Sequence, residues 1–265
     1  MQSVLTKFLK TSAPENGETS QKEMSFLEHL EELRWTFIKA ILGVLVAAVV
    51  CGIYADFIVQ DVLLHPLRLA GLKAQVLSPY GIVLLYMETV LICGLIVSMP
   101  NTIFWLWQFV APGLLPKERR YISGIAIFTS LCFFAGVAFG YFIVLPTSLK
   151  FFAQFGTANI DLNIAIDRYV SFVLALLLGA GLIFELPMVS YFLSKLGLLT
   201  PAFMRHYRRH AIVGILIISA IVTPTPDVVT QTLLALPMLL LYELSILISK
   251  VSQKKEPEIM KSDQT

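Results

Sequence analysis

The amino-acid sequence predicts an all-α, polytopic membrane protein, because of its composition and because of how its apolar residues are grouped. Of its 265 residues, 57% are hydrophobic and only 14% are charged, whereas about a quarter of the residues in soluble domains are charged. The apolar residues cluster into blocks, most of them near the roughly 20 residues that a helix needs to cross a bilayer. A water-soluble enzyme core is therefore excluded. The net charge of +2 is too small to indicate a nucleic-acid partner.

The amino-terminal segment predicts a tail followed by a helix at the membrane surface. The first 24 residues are polar and are expected to be disordered. Ser25 and Glu28 have the spacing of a capping box, so a helix should begin near Phe26. Its amphipathic face indicates that it rests on the membrane before it enters the bilayer near Phe37.

Six apolar blocks are the predicted membrane spans, at about 37–58, 82–109, 122–145, 169–193, 211–222 and 228–248. The fifth block measures only about 18 Å as a helix, which is shorter than the bilayer, and is a candidate interaction site. Thr200 and Pro201 predict a short basic helix just before it. After it, residues 223–227 predict a tight reversal in which Asp227 caps the next helix.

The distribution of positive charge predicts the orientation. With the amino terminus inside, all but four of the 20 Lys and Arg residues lie in cytoplasmic segments, as the positive-inside rule requires. Both termini should therefore be cytoplasmic. The predicted organisation is a polar tail over 1–24, a six-helix membrane domain over 25–249 and a polar cytoplasmic tail over 250–265.

Catalytic motifs are absent from the sequence, which contains no H-E-x-x-H, G-x-S-x-G or G-x-x-x-x-G-K-[ST]. We therefore expect no enzyme, no catalytic residue and no cofactor. His206 and His210 are spaced i,i+4, but the positive charge of Arg205, Arg208 and Arg209 beside them opposes metal binding. We interpret this segment as a phospholipid-facing anchor and expect no metal site.

Three carboxylates fall inside apolar blocks, where an ionised side chain is costly and marks a functional site: Glu88, Glu185 and Glu243. Glu185 stands out, because Pro187 removes a backbone amide and leaves the carbonyl of Ile183 without its helical donor. This pattern predicts a kinked, locally polar position. The alternative is a protonated glutamate that only supports packing.

A second group of carboxylates is predicted on the cytoplasmic side: Glu28, Glu31 and Glu32 before the first span, and Glu118 after the second. Such residues commonly form no more than a solvated face. Two fixed acidic sites, however, can each accept a planar guanidinium group through paired hydrogen bonds, which lysine cannot form. The group is therefore a candidate site for an arginine-rich ligand.

Four sequence segments carry a family resemblance. Residues 26–34 (FLEHLEELR) resemble the H-L-x-E-L-R signature that opens the TatC family, the polytopic subunit of the twin-arginine protein translocase. Residues 109–120 resemble the family's first cytoplasmic loop, 184–187 its fourth span and 223–237 its fifth-to-sixth turn. These segments occur in the family's order and on the topology inferred above.

The resemblance implies a cupped six-helix bundle that acts as the core receptor of a translocase in the cell inner membrane. It implies binding of twin-arginine signal peptides and, with TatA-type and TatB-type single-span partners, export of folded proteins by means of the proton gradient. Self-association in a larger complex and contact with the lipid bilayer are also implied.

The resemblance assigns roles to particular residues. It implies that Glu32 and Glu118 receive the paired arginines, that Arg34 and Phe109 shape that site, and that Glu185 binds partner or signal helices. It also implies a surface that docks partner subunits, formed by Asp227, Gln231 and Glu243. Three prolines are implied to be structural: Pro66, Pro112 and Pro187. The chain departs from the family at Thr36 and Glu88, where relatives commonly carry basic residues.

Two other functions remain open from the residues alone. One is a proton-coupled transporter of small solutes, in which Glu185 and Glu88 titrate at membrane depth. The other is a structural membrane scaffold, whose acidic residues could be replaced with little effect.

Overall fold

The structure is a computed structural model that describes residues 26–111, 122–154, 163–222 and 228–254. The helices, in chain order, are α1 (Phe26–Ile53), α2 (Ala55–Phe57), α3 (His65–Leu69), α4 (Gly81–Val110), α5 (Ile122–Phe139), α6 (Leu145–Ala153), α7 (Ile166–Ile183), α8 (Leu186–Lys195), α9 (Pro201–His206), α10 (Arg208–Val222) and α11 (Val228–Lys254). Two π-helical segments, Ile58–Leu63 and Gly140–Val144, precede α3 and α6. The contacts divide the chain into residues 1–35 and 36–265, and the packing described below lies within 36–265.

The all-α, multi-pass fold class is confirmed. Among the described residues, five segments are long and apolar enough to cross a membrane: Leu30–Ile53, Gly81–Val110, Ile122–Ala153, Ile166–Lys195 and Val228–Lys250. The predicted fifth block forms α10, which has 15 residues and therefore measures about 22 Å. The expectation of a short fifth helix is thus confirmed.

The predicted start of the basic helix α9 agrees with the structure. Helix α1 is described from Phe26 onwards, and the predicted cap at Ser25 and the polar tail before it lie outside the described residues. At α9, the Thr200 hydroxyl accepts a hydrogen bond from the amide of Phe203 at 3.2 Å, which caps the predicted basic helix. The reversal over 223–227 is also outside the described residues, and α11 continues to Lys254, beyond the expected end of the membrane domain at 249.

Helix α7 forms the centre of the core. Its residues Val170, Leu174, Leu176 and Ala180 are completely buried, which places protein on several sides of the helix. Helices α4 and α5 both pack against α7. In the most apolar 18-residue window of the span that contains α7, 56% of the residues are buried. After residue 36, α1 exposes apolar side chains such as Leu42, Val46 and Val49, which are available to lipid.

Glycine allows α5 and α7 to approach each other closely. A Cβ atom at Gly136 would lie 2.5 Å from the Ala180 carbonyl oxygen and 2.9 Å from Phe184 Cβ, closer than real atoms can pack. Because lipid tails are as apolar as the core, helices in a bilayer associate through such close packing, and small residues favour it. Gly136 therefore sets the distance between these two helices.

Two tyrosine hydroxyls satisfy carbonyl groups before Pro66, which is buried in the first turn of α3. Proline has no amide proton, so Pro66 cannot donate to the carbonyl four residues earlier, at Val62. The Tyr141 hydroxyl donates to that oxygen at 2.9 Å, and the Tyr169 hydroxyl donates to the Leu63 carbonyl at 2.8 Å. These bonds fasten the segment that follows α1 to the third and fourth spans.

A short parallel strand pair, β1 (Lys73–Gln75) with β2 (Asn163–Ala165), was not predicted. The sequence placed both segments in loops, because strands of three residues are too short to show an alternating pattern. The two strands pair because the membrane spans that flank them bring the two loops close together. The strands connect the loop after α3 to the start of α7.

Candidate functional site

Glu185 lies at a break in the fourth span, as the sequence predicted. Helix α7 ends at Ile183 and α8 begins at Leu186. Pro187, which is buried, stands in the first turn of α8. The amide of Glu185 donates to the Leu182 carbonyl at 3.1 Å, so the chain makes a tight turn between the two helices. This turn fixes the position of the Glu185 side chain.

The Glu185 side chain borders an apolar cavity of about 330 Å³ between α4, α5 and α8. Its Oε1 atom is buried and has no hydrogen-bond partner among the described residues, and the same holds for the Thr102 hydroxyl on α4. Both side chains line the cavity. The edge-to-face pair of Trp107 and Phe192, with ring centroids 5.8 Å apart, forms part of its wall. We call this space the Glu185 cavity.

The unsatisfied Glu185 oxygen allows the Glu185 cavity to bind a ligand that donates one hydrogen bond and is otherwise apolar. A buried polar group without a partner costs free energy, and a donor that enters the cavity removes that cost. The remaining walls, which include Met99, Ile103 and Met188, match apolar side chains. The cavity is therefore suited to a mainly apolar helix that carries one polar side chain.

Glu88, the second predicted intramembrane carboxylate, is satisfied locally. It accepts a hydrogen bond from the Ser171 hydroxyl at 2.5 Å, which joins α4 to α7. Glu88 and Thr102 are about 14 residues apart on α4, which corresponds to about 21 Å along a helix. Since Thr102 borders the Glu185 cavity, Glu88 and Glu185 lie at different levels of the bundle. The two carboxylates are therefore not in direct contact.

The predicted signal-peptide residues are described only in part. Glu32 is half-buried and Arg34 is exposed on α1, within residues 1–35. Because they are two positions apart on a helix, their side chains do not face each other. Phe109 is half-buried near the end of α4. Glu118 and Pro112 lie outside the described residues.

A cluster of three side chains near the ends of the first two spans was missed by the sequence reasoning. Lys39 Nζ lies 4.1 Å from the centroid of the Trp105 ring. The Trp105 indole donates to Asn101 Oδ1 at 3.1 Å, and Asn101 Nδ2 donates to the Lys39 carbonyl at 3.4 Å. The cluster ties α1, after residue 36, to α4. Lys39 is 62 positions before Asn101, so no local pattern could reveal that the two segments meet.

The predicted partner-docking residues join α10 to α11. Arg208 and Glu243 form an ion pair at 2.5 Å, with each side chain about half exposed. Gln231 Nε2 donates to the Leu216 carbonyl at 3.0 Å. Asp227 lies outside the described residues. Glu243 and Gln231 thus hold a short helix in place, and α10 exposes the apolar side chains Val213, Ile217 and Ile221.

Comparison with protein-family models gives one match over most of the chain. The model for the Sec-independent protein translocase protein TatC matches residues 28–237. This range includes Glu32, Phe109, Glu185 and Gln231, whereas Glu243 lies beyond it. The match therefore covers most of the residues that the sequence singled out.

Curated relatives resemble the chain along nearly its whole length. The Sec-independent protein translocase protein TatC of Carboxydothermus hydrogenoformans is 35% identical over 235 residues, which cover 89% of this chain and 96% of the relative. The protein of the same name from Helicobacter pylori strain 26695 is 41% identical over 224 residues, covering 84% and 86%.

A solved structure has the same fold. The crystal structure of a twin-arginine translocase receptor, TatC, superposes with a TM-score of 0.77 at 34% sequence identity. The alignment covers 85% of this chain and all of the other. The similarity thus holds both in sequence and in three dimensions.

Proposed function

Because this chain belongs to the TatC family of Sec-independent protein translocases, we propose that it is the subunit that receives twin-arginine signal peptides. It is a multi-pass membrane protein and a component of a twin-arginine translocase. The observation that carries the proposal is the Glu185 cavity, which offers apolar walls and an unsatisfied carboxylate oxygen inside the bundle. A helix that follows an arginine pair has the matching chemistry.

The arginine pair binds at the cytoplasmic surface. Glu32 and Glu118 accept the two guanidinium groups, and Arg34 and Phe109 contribute to the same site. A carboxylate and a guanidinium group form two parallel charge-assisted hydrogen bonds, for which the compact ammonium group of lysine has no equivalent. The half-buried position of Glu32 supports this role, because reduced access to water strengthens such bonds. Binding should weaken as the salt concentration rises.

The apolar part of the signal peptide, or the single helix of a TatA-type or TatB-type partner, binds beside Glu185. A polar side chain of the bound helix donates a hydrogen bond to Glu185 Oε1, which has no partner among the residues that the structure describes. The exposed face of α10, next to Asp227 and Gln231, is a second surface for partner helices. Glu243 acts there indirectly, through its ion pair with Arg208.

The protein acts in the cell inner membrane with both termini in the cytoplasm. The concentration of Lys and Arg in the segments assigned to the cytoplasm supports this orientation. There it associates with further copies of itself and with its small partners. The complex uses the proton gradient to move folded proteins, and the chain itself catalyses no covalent reaction.

The decisive experiment compares two signal peptides on the same folded reporter, one with Arg-Arg and one with Lys-Lys, in cells where this chain is the only copy. The proposal predicts efficient export of the Arg-Arg form and at least tenfold less of the Lys-Lys form, since the paired hydrogen bonds are lost. A solute transporter or a scaffold predicts no difference. Equal export of the two reporters would therefore reject the proposal.

Variants then locate the site. Glu118→Ala and Glu32→Ala should each weaken crosslinking to an Arg-Arg signal peptide about tenfold, with Glu118→Ala the more severe, because each removes a charge-assisted hydrogen bond of about 1.5–3 kcal/mol. Glu31→Ala is the matched control, since it removes the same charge from an exposed neighbour on α1. If the control lost as much binding as Glu32→Ala, the effect would be one of overall charge and the assignment would be wrong.

A further inference from the structure

A second cavity, of about 390 Å³, lies where α8, α9, α10 and α11 meet. Its walls include Leu186 and Leu193 from α8, and its polar members include Tyr207, His210 and Tyr242. The Tyr242 hydroxyl donates to the Met204 carbonyl at 2.7 Å, which fixes α9 against α11. Tyr207 and His210 are exposed, so the cavity opens to the surface beside them.

Two arginines are neighbours in sequence of residues that line this cavity. Arg205 follows Met204 and Arg209 precedes His210; both arginines are exposed, and within the described ranges no carboxylate pairs with either, whereas Arg208 is paired with Glu243. The Tyr207 ring packs against those of its neighbours, with centroids 5.0 Å from His206 and 5.5 Å from His210. A tyrosine next to arginines is typical of the membrane–water interface. An apolar cavity and two arginines thus occur in the same part of the fold.

The short length of α10 draws these cations towards the bilayer. The apolar part of α10, residues 211–222, measures about 18 Å along its axis, whereas the hydrocarbon core is about 30 Å thick. A short span is accommodated when the bilayer thins locally or when flanking side chains extend to the headgroups. Either adjustment brings Arg205 and Arg209 towards the level of the lipid phosphates, where a negative charge attracts them.

We propose that this cavity binds one anionic phospholipid, whose phosphate group lies between Arg205 and Arg209 and whose acyl chain occupies the cavity beside Leu193. The phosphate also faces the start of α10, where the helix dipole favours negative charge. A lipid is the occupant that satisfies both halves of the site, because a free phosphate leaves the apolar walls empty. An acidic protein segment leaves them empty in the same way.

The test measures lipid binding by the full-length chain in detergent. Phosphatidylglycerol and phosphatidylcholine with identical acyl chains are titrated, and bound lipid is counted by native mass spectrometry. The proposal predicts one tightly held phosphatidylglycerol and at least tenfold weaker phosphatidylcholine. Each cation near a membrane surface contributes about 1 kcal/mol, so Arg205→Gln and Arg209→Gln should each weaken phosphatidylglycerol about fivefold.

Three further measurements identify the molecule that occupies the cavity. Arg168→Gln removes an exposed arginine at the start of α7 and, as the matched control, should leave binding unchanged. Ser190→Phe narrows the cavity and should weaken phosphatidylglycerol binding if an acyl chain enters it. Soluble glycerol phosphate and a glutamate-rich peptide are added as competitors, and neither should displace the lipid.

Each contrary result overturns the proposal. Equal retention of the two lipids, or wild-type binding by Arg205→Gln/Arg209→Gln, would show that the arginines do not bind a lipid headgroup. Displacement by glycerol phosphate would show that the site binds free phosphates, and displacement by the peptide would show that it binds an acidic protein partner. If Ser190→Phe fails to fold, the arginine variants still decide, since both side chains are exposed. The readout is independent of export, so it stands or falls separately from the proposed function.

Discussion

At the scale of single residues, the polar side chains inside the spans differ in whether they have partners. Ser194 donates to Ser249 at 2.7 Å, and Thr230 donates to Ser148 at 2.9 Å; these four buried side chains link α11 to α8 and α6. Glu185, by contrast, presents a buried oxygen without a partner in the described part of the chain. Hydrogen bonds of the first kind support the fold, whereas the Glu185 oxygen remains available to a ligand.

This contrast leads to a prediction for Glu185. Glu185→Ala should insert and fold, because no bond within the described residues is lost, yet export of a folded Arg-Arg reporter should fall at least tenfold. Glu185→Gln keeps an acceptor oxygen and should retain more export than Glu185→Ala. Export is measured by reporter accumulation outside the membrane at matched protein levels. Normal export by Glu185→Ala would remove the carboxylate from the mechanism.

Replacing Tyr169, unlike replacing Glu185, should lower the stability of the fold. Tyr169→Phe leaves the buried Leu63 carbonyl without the hydroxyl that donates to it, so the free energy of unfolding should fall by about 1–2 kcal/mol. The loss is measured as a lower thermal unfolding midpoint in detergent. Tyr54→Phe is the control, since Tyr54 is 60% exposed; a midpoint for Tyr169→Phe equal to that of the control would show that the bond contributes nothing.

At the scale of elements, α10 depends on α11 for its position. A helix of 15 residues is too short to cross the bilayer unaided, and two side chains of α11, Gln231 and Glu243, bind it along its length. The apolar face that α10 exposes therefore has a fixed orientation. A partner helix meets a surface that is already arranged, which lowers the entropic cost of association.

The ion pair between these helices should show measurable coupling. Arg208→Gln and Glu243→Gln should each lower the thermal unfolding midpoint, and the double variant should lower it by less than the sum, because both remove the same pair. The coupling should be about 0.5 kcal/mol, since each side chain is half exposed. The exchanged pair Arg208→Glu/Glu243→Arg should recover part of the loss. Strict additivity of the single variants would contradict the coupling.

At the scale of the whole molecule, the distribution of charge predicts which loops share a side of the membrane. Arg68 and Arg205 lie in segments assigned to opposite sides, and both are exposed. Opposite placement would bring the carboxylates before the first span to the side on which signal peptides are made. The proposed receptor function depends on this arrangement.

Thiol labelling tests the orientation. After Cys51, Cys93 and Cys132 are replaced by alanine, Arg68→Cys should react with a membrane-impermeant maleimide in intact cells whose outer membrane is opened. Arg205→Cys should react only after the inner membrane is lysed. The reverse labelling pattern would place both termini outside and would contradict the proposed orientation.

Much of the fold was predictable because membrane spans are defined by local composition. The break at Glu185 and the short α10 each follow from a few adjacent residues: a proline, or the length of an apolar block. The Lys39–Asn101–Trp105 cluster and the β1–β2 pair were not predictable, because each joins segments far apart in the chain. At the candidate site, the sequence identified Glu185 but not Thr102, whose hydroxyl looks like any other in a span.

The amino-acid sequence was enough to predict that this protein crosses the membrane several times, which family it resembles and which carboxylates fall inside apolar spans. Those properties depend on residue type and on short spacing, which a linear pattern records. The differences among the carboxylates could be seen only in the folded chain: Glu88 is bonded to Ser171, Glu243 is paired with Arg208, and Glu185 borders a cavity. This is because a hydrogen bond or an ion pair depends on which helices pack together, and packing joins residues that are far apart in the chain.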